Sequence, residues 1–251
     1  MELLINAFNT ILYQPLFNAL VLLYEYLPGH DFGVAVIVLT ILIRILLYPL
    51  MVKSIKSQRV LSELQPKIKE IQDKYKHDKE KQAKETMALY QREKINPFGG
   101  CLPLLLQLPI LIALYRVFWK GLEPEAMARL YSFVPNPGII DPTFFGLINL
   151  AEASIVLAFI AGIVQFFQSK MLMPRKQKTE QKKNQAPQLS DMMQKQMLYF
   201  FPIFTVFILW KLPSAIAVYW IITALFSIGQ QYLVFRPRTK ASLSSGQETI
   251  K

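Results

Sequence analysis

A single cysteine, Cys101, in 251 residues leaves no disulfide framework and no Cys/His spacing able to hold a metal. Charge is scarce: 18% of residues are Asp, Glu, Lys or Arg, against about a quarter in soluble domains. With 10 Gly and 16 Pro, collagen-like and low-complexity arrays are excluded. No glycine-rich loop ends in Gly-Lys-Ser/Thr, which argues against nucleotide hydrolysis. Residues 1–31 contain no Lys or Arg, so they lack the basic start of a signal peptide. Arginines do not recur every third residue, as a voltage sensor requires.

What is present is apolar: 53% of the chain, too much for disorder. Four long runs stand out, Phe32–Met51, Phe98–Trp119, Ala153–Leu172 and Ser214–Phe235. Each has about 20 residues, the length that crosses a hydrocarbon core of about 30 Å. A fifth, Met197–Leu212, is shorter and holds Pro202, and Lys211 at its end can snorkel to the interface. A net charge of +11 would suit a nucleic-acid binder, but not together with such runs, so no specific nucleic-acid partner is expected.

The expected fold is all-α and polytopic, with five transmembrane helices, an N-terminal interfacial helix and a cytoplasmic helical hairpin. The chain divides into an outer interfacial helix at 1–31, spans at 32–52, 97–119, 153–172, 197–212 and 214–235, and a hairpin at 53–96. An outer loop lies at 120–152, a cytoplasmic loop at 173–196 and a basic tail at 236–251. With five spans, 23 Lys/Arg fall on one side and four on the other: Arg116, Lys120, Arg129 and Lys211. The positive-inside rule then sets the N-terminus outside and the C-terminus in the cytoplasm.

In the first segment Leu4, Phe8, Ile11, Leu12 and Leu16 repeat at helical spacing, with Asn6, Asn9, Gln14 and Asn18 between them. A helix lying on the outer leaflet fits this pattern, with a sixth span as the alternative. In the hairpin, Val60, Leu61, Leu64, Ile68 and Ile71 form one stripe. Pro66 breaks or starts a helix, and Tyr75–Lys84 reads as a solvated tip.

Arg44 is the sharpest feature. It lies about 18 Å below the start of its span, where a guanidinium costs at least ~2.5–3.5 kcal/mol. No span carries a central Asp or Glu to pair with it. Snorkelling to the inner interface is one remedy. A wet groove open to the cytoplasm is the other, and Gln107, Gln165, Gln168, Trp220 and Gln230 supply polar groups for it. With neither a base nor a carboxylate pair in the spans, the sequence argues against catalysis and the protein is not expected to be an enzyme.

The run Asn96-Pro97-Phe98-Gly99-Gly100-Cys101-Leu102-Pro103, continuing to Gln107-Leu108-Pro109, resembles the second-span signature of the YidC family of membrane-protein insertases. Gln65–Tyr75 resembles that family's cytoplasmic hairpin, and Arg44 with Tyr48-Pro49-Leu50 its groove arginine. Gln168-Ser169-Lys170-Met171, Pro213-Ser214, Tyr219-Trp220 and Gln230-Gln231 resemble its later spans. Departures are Ala224, where the family commonly has Asn, and Ala215, where it often has Gly. Only 31 residues precede the first span, so the likeness is to bacterial forms without a large periplasmic domain.

The resemblance implies an insertase and chaperone of the bacterial plasma membrane, working alone or with the Sec translocon on nascent membrane-protein chains. Its substrate groove would comprise Arg44, Gln107, Gln165, Gln168 and Trp220. Its capture hairpin would use Gln65, Pro66, Lys67 and Tyr75. It implies no cofactor and no metal, and the short basic tail offers only a slight ribosome contact. Outside the resemblance, two other classes fit the residues: an anion transporter or channel built on Arg44, and a scaffold for membrane assembly.

Overall fold

A computed structural model describes residues 2–96, 99, 102–173 and 196–235. The expected second-span opening at Pro97, Phe98, Gly100 and Cys101 lies outside these residues, as do 174–195 and the tail 236–251. The described chain is helical apart from loops and one small hairpin of strands.

The first rod comprises α1 (Glu2–Phe8), a π-helical turn (Asn9–Tyr13) and α2 (Gln14–Tyr26). The wide turn has a cause. Pro15 has no N–H to give the Ile11 carbonyl four residues back, and its ring crowds that carbonyl. The same event recurs at Gln196–Phe200, ahead of Pro202.

The face of this rod that packs on the bundle is not the stripe assigned to the lipid surface. Tyr13, Phe17, Leu20, Val21 and Tyr24 are buried, whereas Leu4 and Ile11 are 74% and 70% exposed. The contact stripe thus starts at the π turn, and α2 packs on α3 (Phe32–Leu46) and α7 (Leu102–Lys120). Nor do all the polar residues face water. Asn18, only 3% exposed, donates to the Gln14 and Arg129 carbonyls and accepts from the Tyr131 amide at 2.6 Å.

The expected span 32–52 is not one helix. α3 ends at Leu46, and α4 (Tyr48–Glu63) leaves it at 69°. Pro49, in the first turn of α4, prevents the helix from running on. A second break at Leu64 precedes α5 (Gln65–Lys74), with Pro66 in its first turn. α6 (Lys79–Arg92) packs back on α5, capped by the Asp78 carboxylate on the Lys81 amide. The turn between them is shorter than the expected tip, because residues 79–84 are already helical.

After α7 the loop 120–152 is structured. It holds a 3₁₀ turn (Pro124–Arg129) and strands β1 (Thr143–Phe144) and β2 (Ile148–Asn149), joined by a tight turn with positive φ at Phe145 and Gly146. Asp31 caps α3 through the Val34 amide, and its other oxygen accepts from the Phe145 amide. Gly33 is required here, because a Cβ would lie 2.1 Å from the Phe144 ring.

α8 (Ile155–Met171), α9 (Phe201–Leu209) and α10 (Ser214–Phe235) complete the bundle. α10 packs on α8 and α3, and α9 on α8, where Gly162 would meet Val206 if it carried a Cβ. Among the described residues, Ser214–Phe235 is long and apolar enough to cross a membrane unbroken, and α3 with α4 only as a bent pair.

Candidate functional site

Phe32, Val36, Thr40 and Arg44 follow one another at four-residue spacing, so they share one face of α3. All four are buried. Thr40 turns its hydroxyl back to the Val36 carbonyl at 2.6 Å. Ile45 and Leu46, on the far side, are 56% and 79% exposed. Helical geometry therefore directs Arg44 into the bundle, where it is 7% exposed. A side chain snorkelling along the outside of the bundle would be far more exposed. Among the described residues no carboxylate lies within ion-pair distance of it, and the charge acting on it comes from Tyr219.

The facing surface comes from α10. Tyr219, Thr223, Ser227 and the pair Gln230-Gln231 recur every three or four residues and are buried. The Arg44 charge interacts with Tyr219. Gln107 of α7 donates its amide to the Tyr219 hydroxyl. On the adjacent side of α10, the Trp220 indole N–H donates to Gln165 Oε1 at 3.0 Å. The side chains of Gln230 and Gln231 include buried amide atoms with no hydrogen-bond partner in the structure. Unmet polar groups of this kind call for water or a polar guest.

Of the five groove residues expected from sequence, Arg44 and Gln107 meet at Tyr219, while Gln165 and Trp220 bond each other on the adjacent side of α10. Gln168, half-buried, stands a turn beyond Gln165 and takes no part in the Trp220 bond. Tyr219, Thr223 and Ser227 were missing from that expectation. Their four-residue recurrence within an apolar run was the signal that could have shown them.

The hairpin residues form a separate group. Pro66 starts α5, and Lys67 pairs with Glu93 at 2.6 Å across to the end of α6. Tyr75 closes α5 with the ammonium groups of Lys74 and Lys81 at 5.4 and 5.3 Å from its ring. Gln65 holds a buried Oε1 without a hydrogen bond. Burial raises the Tyr90 phenol on α6 above its ordinary pKa.

A buried arginine without a carboxylate partner among the described residues, facing a polar stripe of α10 inside an apolar helical bundle, is an arrangement expected of a membrane protein. Residues 22–242 match the family described as 60Kd inner membrane protein. The chain is 36% identical to Membrane protein insertase YidC 2 of Listeria innocua over 232 residues, covering 89% of this chain and 72% of that one. To the Membrane protein insertase YidC of Fusobacterium nucleatum it is 36% identical over 207 residues, covering 82% and 87%. A Syntrophus aciditrophicus relative of the same name is 34% identical over 221 residues, but this chain spans only 36% of its length. The chain belongs to this 60Kd inner membrane protein family, that of the YidC insertases.

Proposed function

We propose that the protein inserts nascent membrane-protein chains into a bacterial inner membrane, using the Arg44 face as a hydrated landing site. The observation that carries this is the burial of Arg44 without a carboxylate partner among the described residues. A polar or acidic tail entering hydrocarbon alone carries a large desolvation cost. A fixed positive charge in a poorly screened setting offsets part of it, because attraction there is many times stronger than in water. The tail binds near Arg44, and the polar stripe of α10 and Gln107 keep it solvated. The substrate's apolar segment then partitions into lipid, and that partition drives release without nucleotide.

In this reading the five spans run with the N-terminus outside, and the hairpin α5–α6 meets incoming chains at the cytoplasmic face. The Sec translocon is the partner for larger substrates. Deleting Tyr75–Lys84 should slow delivery, and unchanged insertion kinetics would remove the hairpin from the mechanism.

The test is insertion into liposomes containing only this protein. The substrate has one span and an acidic outer tail, and protease protection of the tail is the readout. Protection that falls in Arg44→Ala for acidic tails, and less for neutral ones, supports the groove charge. Equal protection by both proteins rejects it. Absence of protection by the folded wild type rejects autonomous insertion.

A further inference from the structure

We infer that one end of the bundle carries a binding site for a phospholipid headgroup, recognised by its phosphodiester anion. A cavity of about 480 Å³ lies where the π turn of the first rod, the last turn of α7 and the 3₁₀ turn meet. That volume falls in the range of about 300–1,000 Å³ typical of small-ligand sites. Arg116, Lys120 and Arg129 line it. They are three of the four basic residues assigned from sequence to the outer side. Membrane proteins carry few Lys and Arg outside, so this convergence needs a local cause.

The two arginines are oriented by rings rather than by acids. Arg116 lies over Phe8 at 5.2 Å and donates to Asn9 Oδ1 at 3.2 Å. Arg129 lies over Tyr13 at 5.5 Å. Glu123 and Glu125 also line the cavity, yet neither forms a salt bridge with the three cations. Three cations against two carboxylates leave a formal charge of +1, which one phosphodiester balances. A guanidinium presents a fork of N–H donors that matches phosphate oxygens.

Tyr115 and Trp119 complete the wall, and Trp119 is 52% exposed. Tyr and Trp gather at the level of lipid headgroups. Burial holds the Tyr13 phenol above its ordinary pKa against the pull of Arg129 and Arg116, so it stays neutral. The choice of an outer-leaflet lipid over a free anion rests on the orientation proposed above.

The test is thermal melting of the full chain, purified in detergent, with dihexanoyl-phosphatidylglycerol, dihexanoyl-phosphatidylethanolamine or inorganic phosphate. The short-chain lipids should raise the wild-type midpoint saturably. Their half-saturating concentration should rise about tenfold or more in Arg116→Gln/Arg129→Gln, as loss of charge-assisted contacts requires. Lys120→Gln should show a smaller rise, and its exposed position keeps the test alive if the double variant does not fold. Lys211→Gln, the fourth outer cation, should bind like wild type.

No saturable shift, an equal response to inorganic phosphate, or an equal loss in Lys211→Gln would overturn the lipid site. Asn136→Cys in a Cys101→Ser background, labelled with an impermeant maleimide, reads the orientation separately. Outward labelling supports the outer leaflet. Inward labelling with binding intact would overturn the orientation and leave the pocket standing.

Discussion

Gln107 of α7 donates its amide to the hydroxyl of Tyr219 on α10, and the same phenol lies within electrostatic reach of Arg44. One buried side chain thus joins three helices. Tyr219→Phe removes the acceptor and leaves the Gln107 donor unmet. The expected loss of stability is about 1–3 kcal/mol. Adding Gln107→Leu should restore part of it in detergent melts, and full wild-type stability in Tyr219→Phe alone would mean another acceptor serves Gln107.

Arg44→Met should make the protein more stable while it impairs insertion of acidic-tailed substrates. An unpaired buried charge costs several kcal/mol, and an apolar isostere removes that cost. Melting and protease protection measured on one preparation check both signs. Arg44→Lys should keep part of the activity if charge alone serves, and lose most of it if the forked geometry matters.

Asn18→Ala should loosen the loop 120–152. It deletes two bonds to carbonyls and one from the Tyr131 amide, all of them part-buried. A cost of about 1–3 kcal/mol is expected, read as faster proteolysis within the loop. Asn18→Asp keeps the acceptor for Tyr131 but loses both donors, so it should rescue only partly.

Gly33→Ala should displace the β1–β2 turn, since the new methyl group would occupy the space of the Phe144 ring. Overpacking of this kind costs about 1–3 kcal/mol. The double variant Gly33→Ala/Phe144→Ala relieves the clash, so it should be less destabilised than the sum of the two single changes. Strict additivity in the melts would count against the contact.

Lys67→Ala should change stability by less than about 1 kcal/mol. Its bond to Glu93 is short, but the two side chains are 56% and 38% exposed. High salt should erase even that difference.

The start of the last helix was legible to the residue: the apolar run read from Ser214 begins where α10 does. Arg44 stood out as a lone charge in an apolar run, but its direction did not: snorkelling and inward burial were both open, and its register with the buried Phe32, Val36 and Thr40 turns it inward. The break at Leu47 was less legible, since Pro49 sits comfortably in the first turn of a new helix and the run around it stays apolar. The packed face of the first rod was not read from sequence, because its apolar stripe was assigned to the lipid surface, and the π turn sets Tyr13, Phe17, Leu20, Val21 and Tyr24 on a second face against the bundle. The role of Asn18 was not legible, because its partners Arg129 and Tyr131 lie more than a hundred positions away.

The joint at Leu47 makes α4 a lever. Its 16 residues extend about 24 Å and leave α3 at 69°. The far end of α4 is therefore carried about 22 Å sideways from the axis of the helix that holds Arg44. A change of about 10° at the joint would move that end about 4 Å. The hairpin beyond it would travel with it, while Arg44, one turn before the fulcrum, would hardly shift.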